Sequence, residues 1–289
     1  LNLNKNLTIL EEYQSLENAL VDVLKISKSA IKKSSLSKSF LNRSIKKNQS
    51  VQIPIDILNK GIVNPIYNGP IPETIFEDDL FLVLDKPEMV HSHPLSYSET
   101  DNILSYIRQH KNPKLLNINT SDNEKGLLYR LDHVTSGVIV YVKDETTLKF
   151  LRANYHSAVL QKEYHALVHG QLTTSGKIEL YLNPSSEKGK KMMVSSIYSN
   201  EYLIATQEID LISYDANKKI SLVKINLNSG HRHQIRATLS FLGHPIVGDR
   251  LYGGQDSSRV WLHANRYEIK HDKIYSFRSL KTISQTLLP

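Results

Sequence analysis

The chain has no cysteine. A disulfide framework, a thiolate nucleophile and a cysteine-bound zinc are therefore excluded, and a reducing compartment is the expectation. Also lacking is any apolar run near the roughly twenty residues that a bilayer span needs. The first twenty residues, LNLNKNLTILEEYQSLENAL, carry acids and no long apolar core, unlike a secretion signal. We expect a soluble cytoplasmic protein with no membrane partner. Acids are missing from one stretch altogether, between Asp22 and Asp56. That window holds Lys25, Lys28, Lys32, Lys33, Lys38, Arg43, Lys46 and Lys47. It reads either as a solvated basic face or as a surface that tracks phosphates. The net charge of +7 does not choose between the two. No internal repeat is visible.

With 289 residues, 40% of them hydrophobic, the chain can bury one large core or two smaller ones. Leu16, Leu20, Val23 and Leu24 fall at helical spacing and predict a helix over residues 10–33. The stretch SSLSKSFLNRSIKKNQSVQI predicts turns with short extended pieces. NKGIVNPIYNGPIPE, rich in glycine, proline and asparagine, predicts a linker. We place a boundary near residue 70, giving domains 1–70 and 71–289. Beyond it, TIFEDDLFLVLDKP predicts two strands around an acidic turn, and DNILSYIRQH a helix capped by Thr100 or Asp101. GLLYRLDHVTSGVIVYVKD predicts strands at Leu127–Tyr129 and Val138–Val142 flanking a polar loop, with Asp144 capping the next helix. QKEYHALVHGQL and NKKISLVKINLNSG predict strands. HRHQIRATLSFLG predicts a helix with Ile235 and Leu239 inward and Gly243 at its end. Strands and helices mix without a βαβ repeat, so the fold class is α+β with a mixed, largely antiparallel sheet.

Three stretches could carry chemistry. Asp132 follows a strand and enters a turn, where a lone aspartate usually bonds its own loop amides. Arg130 lies two residues before it, on the same face if the segment is extended. Lys162 and Tyr164 share one face of a strand. Gly230 to Arg236 places basic and imidazole groups at a helix start. Cations are disfavoured there, unless they bind phosphate or pair with a carboxylate. His231 and His233 could suggest a metal, but no third ligand offers itself and Arg232 between them repels a cation. We expect no metal and no cofactor.

These residues fall into motifs. Tyr129–Gly137 reads Y-R-L-D-H-V-T-S-G, Lys162–Tyr164 reads K-E-Y with Gly170 trailing, and Gly230–Arg236 reads G-H-R-H-Q-I-R. Gly243–Gly253 reads G-H-P-I-V-G-D-R-L-Y-G, and Leu262–Ala264 reads L-H-A. In this order they resemble the motifs of the RluA-type pseudouridine synthases, over residues 71 to about 272. The chain departs from the family pattern at Tyr129, where a histidine is usual, at His231–Arg232, and at Thr238. The resemblance implies conversion of uridine to pseudouridine in RNA on a catalytic domain of that fold. It implies Asp132 as nucleophile, Tyr164 against the uracil and as a base, and Arg236 as ion-pair partner of Asp132. Arg130, Thr135, Lys162, His233 and Gln234 become candidates for substrate binding. Asp249 takes a structural role in a Gly-Asp turn. The basic N-terminal window matches the place where some members carry a small RNA-binding module, and resembles a degenerate version of it.

The expected partner is RNA, ribosomal RNA of the large subunit before transfer RNA. DNA is not expected, and a monomer is the default. Two other readings stay open. One is a non-catalytic RNA-binding or ribosome-assembly protein on the same fold. The other is a hydrolytic N-glycosidase, which usually wants a second carboxylate, for which Asp249 is the nearest candidate.

Overall fold

The computed structural model describes residues 4–24, 26, 28–32, 34–54, 57, 63–96, 98–120, 122–183 and 191–283. Lys25 and Lys33 of the basic window and residues 59–62 of the linker lie outside the described residues. Two compact units are distinguished: Leu1–Pro70 with His91–Gly126, and Ile71–Val90 with Leu127–Pro289. None of the helices among the described residues is long and apolar enough to cross a membrane.

In the first unit, strand β1 (Asn4–Ile9) pairs antiparallel with β2 (Gln49–Pro54). Between them, among the described residues, run the short helices α1 (Leu16–Leu24), α2 (Lys28–Lys32) and α3 (Lys38–Leu41). The expected apolar stripe is there in part: Leu16 and Leu20 are buried with Ile9, Ile31, Leu41, Ile45 and Ile53 and Leu24 packs partly against them, but Val23 is 49% exposed. The helix expected over residues 10–33 is shorter and broken. The strand before it was not legible, because NKNLTI offers only Leu7 and Ile9 to an apolar face. Lys28, Lys32, Lys38, Arg43, Lys46 and Lys47 are all exposed. In helix α4 (Ile103–His110) the cap is Asn102, not Thr100 or Asp101. Its side-chain carbonyl accepts the Ser105 amide while its NH2 donates to the Glu99 carbonyl and Ser105 Oγ. A fully buried amide satisfies both groups there, which a hydroxyl or carboxylate would not.

The second unit is built on one sheet. Its strands are β3 (Glu73–Glu77), β4 (Phe81–Lys86), β5 (Ser136–Val142), β6 (Val159–His169), β7 (Gly176–Asn183) and β8 (Met193–Ser195). The rest are β9 (Leu203–Asp215), β10 (Ile220–Leu227), β11 (Leu262–Lys270) and β12 (Ile274–Arg278). The order is β3-β4-β5-β11-β6-β10-β9-β7-β8, with β12 also on β11. Among the described residues only β5 and β11 run parallel; the other pairings of the sheet are antiparallel. Helices α5 (Glu145–Ala153), α6 (Tyr155–Ala158) and α7 (Gln234–Phe241) complete it. This is the mixed, largely antiparallel α+β architecture that the sequence predicts.

Strands β4 and β5 are buried along their whole length. The strand expected at Leu127–Tyr129 reduces to a bridge from Leu127 to Tyr141 and one bond from the Leu128 amide to Val140. The Arg152 guanidinium takes the Leu127 carbonyl at 2.8 Å, which a longer ladder would need. The chain therefore leaves the sheet early and returns at Ser136, carrying Arg130 and Asp132 in the loop between. Gly137 fixes the return. Its φ is +111°, and a Cβ there would sit 2.2 Å from the Ala264 carbonyl oxygen. Only glycine lets β5 approach β11 this closely.

Candidate active site

The loop after Leu128 closes as a turn, the Thr135 amide donating to the Asp132 carbonyl at 3.0 Å. Asp132 projects from it with its side chain 24% exposed. The guanidinium of Arg236, from the first turn of α7, lies against it, Nη1 donating to Oδ2 at 3.2 Å. The sequence separation is 104 residues. Arg236 is itself gripped from the other side by Asp249, with Nε to Oδ2 at 2.7 Å and Nη2 to Oδ1 at 2.9 Å. A two-pronged contact of this kind fixes the plane of a guanidinium as well as its position. The Tyr252 ring adds a face, 5.2 Å from the guanidinium carbon.

Burial opposes the charge on Arg236. The hydrogen bonds and charge of Asp249, and then the charge of Asp132, outweigh it, so the guanidinium stays protonated. Asp249 is 1% exposed and both its oxygens are occupied by Arg236. Buried and turned onto Arg236, it is poorly placed to activate water, as a second carboxylate in hydrolysis must. Removing one partner from so buried a pair costs on the order of 3–5 kcal/mol. The Gly-Asp turn is thus also the anchor of the site arginine, a role that sequence reasoning missed.

His233 is brought to the same place. It precedes α7 in the left-handed conformation, φ +55°, which a residue with a side chain rarely adopts. Its Nδ1 meets the Tyr252 hydroxyl at 3.0 Å and its Nε2 lies 3.8 Å from Asp132 Oδ2, too far for a hydrogen bond. Burial lowers its pKa, Asp132 opposes that, and Arg236 and Arg232 add to it, so the ring is neutral at neutral pH. His231 Nε2 donates to the Ile204 carbonyl at 2.9 Å instead. Among the described residues no group of three His, Asp or Glu side chains is placed to hold a metal.

Tyr164 is buried on β6. Burial first, then Tyr155 and Asp132, push its phenol well above the ordinary value. It belongs to a tyrosine cluster: Tyr129 stacks on Tyr267 with ring centres 4.2 Å apart, and Tyr155 and Tyr267 share a hydroxyl bond of 2.9 Å. Arg130 is exposed at the loop surface.

The other three candidates are engaged by protein groups. Thr135 is 3% exposed in the Asp132 turn. Lys162 donates to the Ser229 carbonyl at 2.8 Å, and burial pushes its ammonium down to about 8. Gln234 is buried with both ends of its amide bonded, accepting from Ser229 Oγ and the His231 amide and donating to Thr206 and Gln207. All three fix the loops that carry Asp132, His233 and Arg236.

Lys86 is a further buried group that the sequence reading passed over. Its ammonium donates to the carbonyls of Pro87 at 2.9 Å, Val90 at 2.6 Å and His133 at 3.4 Å. The last of these lies in the Asp132 loop. Burial pushes its pKa down to about 7, against the charges of Asp132 and Glu88.

Residues 80–241 match the family model described as RNA pseudouridylate synthase. The chain is 30% identical over 233 residues to an uncharacterized RNA pseudouridine synthase of Bacillus subtilis, covering 80% of this chain and 74% of that protein. It is 30% identical over 236 residues to a ribosomal large subunit pseudouridine synthase D of Borreliella burgdorferi, covering 79% and 70%. In fold it is similar to human RNA pseudouridylate synthase domain containing 1, with a TM-score of 0.60 at 21% identity, over 75% of this chain and 86% of the other.

The Lys86 geometry yields a pH prediction. In the unfolded chain this lysine returns to its ordinary 10.5, so between pH 7 and 10.5 the unfolded state holds more protons. Its contribution to stability is therefore smallest below pH 7, where a charged ammonium is buried, and grows as the pH rises through that window. Urea unfolding of wild type and Lys86→Met across pH 6–10 checks this. The difference between them should shift in favour of wild type as pH rises; a flat difference would contradict it.

Proposed function

The chain belongs to the RNA pseudouridylate synthase family and is an RNA pseudouridine synthase of the RluA type; from that premise we propose that Asp132 is its nucleophile. The reaction isomerises uridine within RNA. The bond from uracil N1 to the ribose C1′ breaks, the base turns, and a bond from C5 to C1′ forms. The C5 proton is lost and N1 gains one. A carboxylate serves such a reaction by adding to the anomeric carbon or by assisting departure of the uracil. The observation that carries the assignment is the half-buried carboxylate of Asp132 held on the fixed guanidinium of Arg236. An anion that meets the sugar in a water-poor pocket needs such a counterion to remain ionised and aimed.

Tyr164 abuts the uracil in this reading and takes the C5 proton. Its phenol rests in the neutral form, because burial raises its pKa, so in this reading it first gives its own proton to uracil N1 and the resulting phenolate takes the one from C5. A uridine inside folded RNA hides its glycosidic bond and must be extruded, at a cost of a few kcal/mol. Exposed Arg130 fills the gap, since a guanidinium plane stacks on bases. The exposed lysines and Arg43 of the first unit add phosphate contacts, with steep salt dependence.

Large-subunit ribosomal RNA is the target we favour. Its support is the name of the Borreliella relative and of a second relative from Zymomonas mobilis, both ribosomal large subunit pseudouridine synthases D. Pseudouridines should be mapped in RNA from cells with the protein, without it, and carrying only Asp132→Asn. We expect one or a few large-subunit uridines to go unmodified in both altered strains. Modification persisting with Asp132→Asn would remove the nucleophile assignment, and sites confined to transfer RNA would redirect the target. Separately, Tyr164→Phe should bind RNA normally and lose about 10²-fold or more in single-turnover rate. A full rate in that variant would leave Tyr164 a stacking role only.

A further inference from the structure

We propose that His263 and Ser136 are positioning residues for the Asp132 loop, acting through one directed chain of buried hydrogen bonds from Arg259 to Asp85. The proposal rests on Asp132 being the nucleophile. Ser136 opens β5, directly after the turn that carries Asp132. His263 stands opposite it on β11, in the short parallel pairing that joins Ser136 to His263 and Gly137 to Ala264.

The direction of the chain follows from what each atom can do. His263 Nε2 lies 3.2 Å from the Lys281 carbonyl, which only accepts, so Nε2 carries the hydrogen. The same N–H reaches Ser279 Oγ at 2.8 Å. Nδ1 is then the acceptor, and the Ser136 hydroxyl donates to it at 2.8 Å. Arg259 Nη2 donates to Ser136 Oγ at 2.5 Å. At the far end the Ser279 hydroxyl donates to Asp85 Oδ2 at 2.6 Å, and the Leu280 amide donates to the same oxygen at 3.0 Å. Every donor points the same way, with a cation at the start and an anion at the end. Such chains polarise in one sense and strengthen one another.

Burial makes the arrangement stiff. Asp85, Ser136, His263 and Ser279 are each 7% exposed or less. Burial drives the imidazole down to about 4, Asp85 opposes that, and Arg259 and His165 add to it, so at neutral pH the ring is uncharged. Arg259 is fixed in turn by Glu88 at 2.9 Å and by the Trp261 face. Ser136, Arg259 and His263 also border a cavity of about 50 Å³ with Lys86 and Lys281. That is room for a few waters, so the loop has space to shift if the chain is cut. Two backbone rungs alone would then hold β5 to β11 at the foot of the turn. A misplacement of about 1 Å at a reacting group can cost on the order of 10²-fold in rate.

The experiment is a double-mutant cycle on the full chain with Ser136→Ala and His263→Asn. The probe is RNA from cells lacking the protein. Single-turnover pseudouridine formation, retention of the same RNA on filters and the thermal midpoint are read for each variant. We expect each folded single variant to lose about ten-fold in rate, with RNA affinity within about two-fold of wild type. The double variant should lose little more than the worse single, because one chain is cut either way. A wild-type rate in folded Ser136→Ala, strictly additive losses, or losses in affinity alone would overturn the proposal. If His263→Asn does not fold, Ser136→Ala with Ser279→Ala makes the same cycle. Asp132→Asn run alongside separates the two readings: activity in that variant defeats the nucleophile, whereas a dead Asp132→Asn beside a fully active Ser136→Ala defeats only the chain.

Discussion

One guanidinium organises the candidate active site. Arg236 is clamped by both oxygens of Asp249 and extends its remaining nitrogen to Asp132. The first contact is nearly free of solvent and the second opens to it, since Asp249 is 1% exposed and Asp132 24%. That asymmetry is useful. The buried carboxylate gives the arginine its place, while the half-open one is left able to meet a substrate. Neither acid alone would do both, because a carboxylate buried against its cation is closed to a substrate, while an open one holds the cation less firmly.

The sheet delivers the three groups from distant parts of the chain. Asp132 comes from the loop that leaves the sheet after Leu128, and Arg236 from the first turn of α7. Asp249 comes from the turn that follows Gly248. The fixing bonds concentrate on loop backbones: Lys86 on the His133 carbonyl, Lys162 on that of Ser229, Gln234 on the amide of His231. Two of these are lysines whose ammonium is driven below its ordinary value by burial. Burying such groups opposes folding, and the cost is borne where loop geometry decides the chemistry.

How much of this was legible depended on whether the signal was local. β3, β4, β5, β6 and β10 followed from apolar periodicity, whereas β7, β8, β9, β11 and β12 were not read from the sequence; the motif spacing at Asp132, Tyr164 and Arg236 carried the family resemblance. Asp249 escaped because a Gly-Asp turn is a sufficient local explanation of an aspartate, and nothing nearby says that its carboxylate faces an arginine. Lys86 escaped for a different reason. Phe81 to Leu84 was read as a short apolar strand, but its burial on both faces, which extends to the charged Asp85 and Lys86, appears only when β3 and β5 flank it. Thr135, Lys162 and Gln234 looked available for substrate because polar residues in motifs usually are. Their burial depends on contacts with loops far along the chain, which spacing does not report.

The central claim is that the geometry of Arg236, beyond its charge, aims Asp132. Arg236→Lys keeps the charge but cannot hold Asp249 with two parallel bonds while reaching Asp132. The single-turnover rate of pseudouridine formation by this variant, measured at saturating enzyme on RNA from cells lacking the protein, is the direct test. The account predicts a fall of about 10²-fold in rate. A lysine variant that forms pseudouridine at the wild-type rate would contradict it.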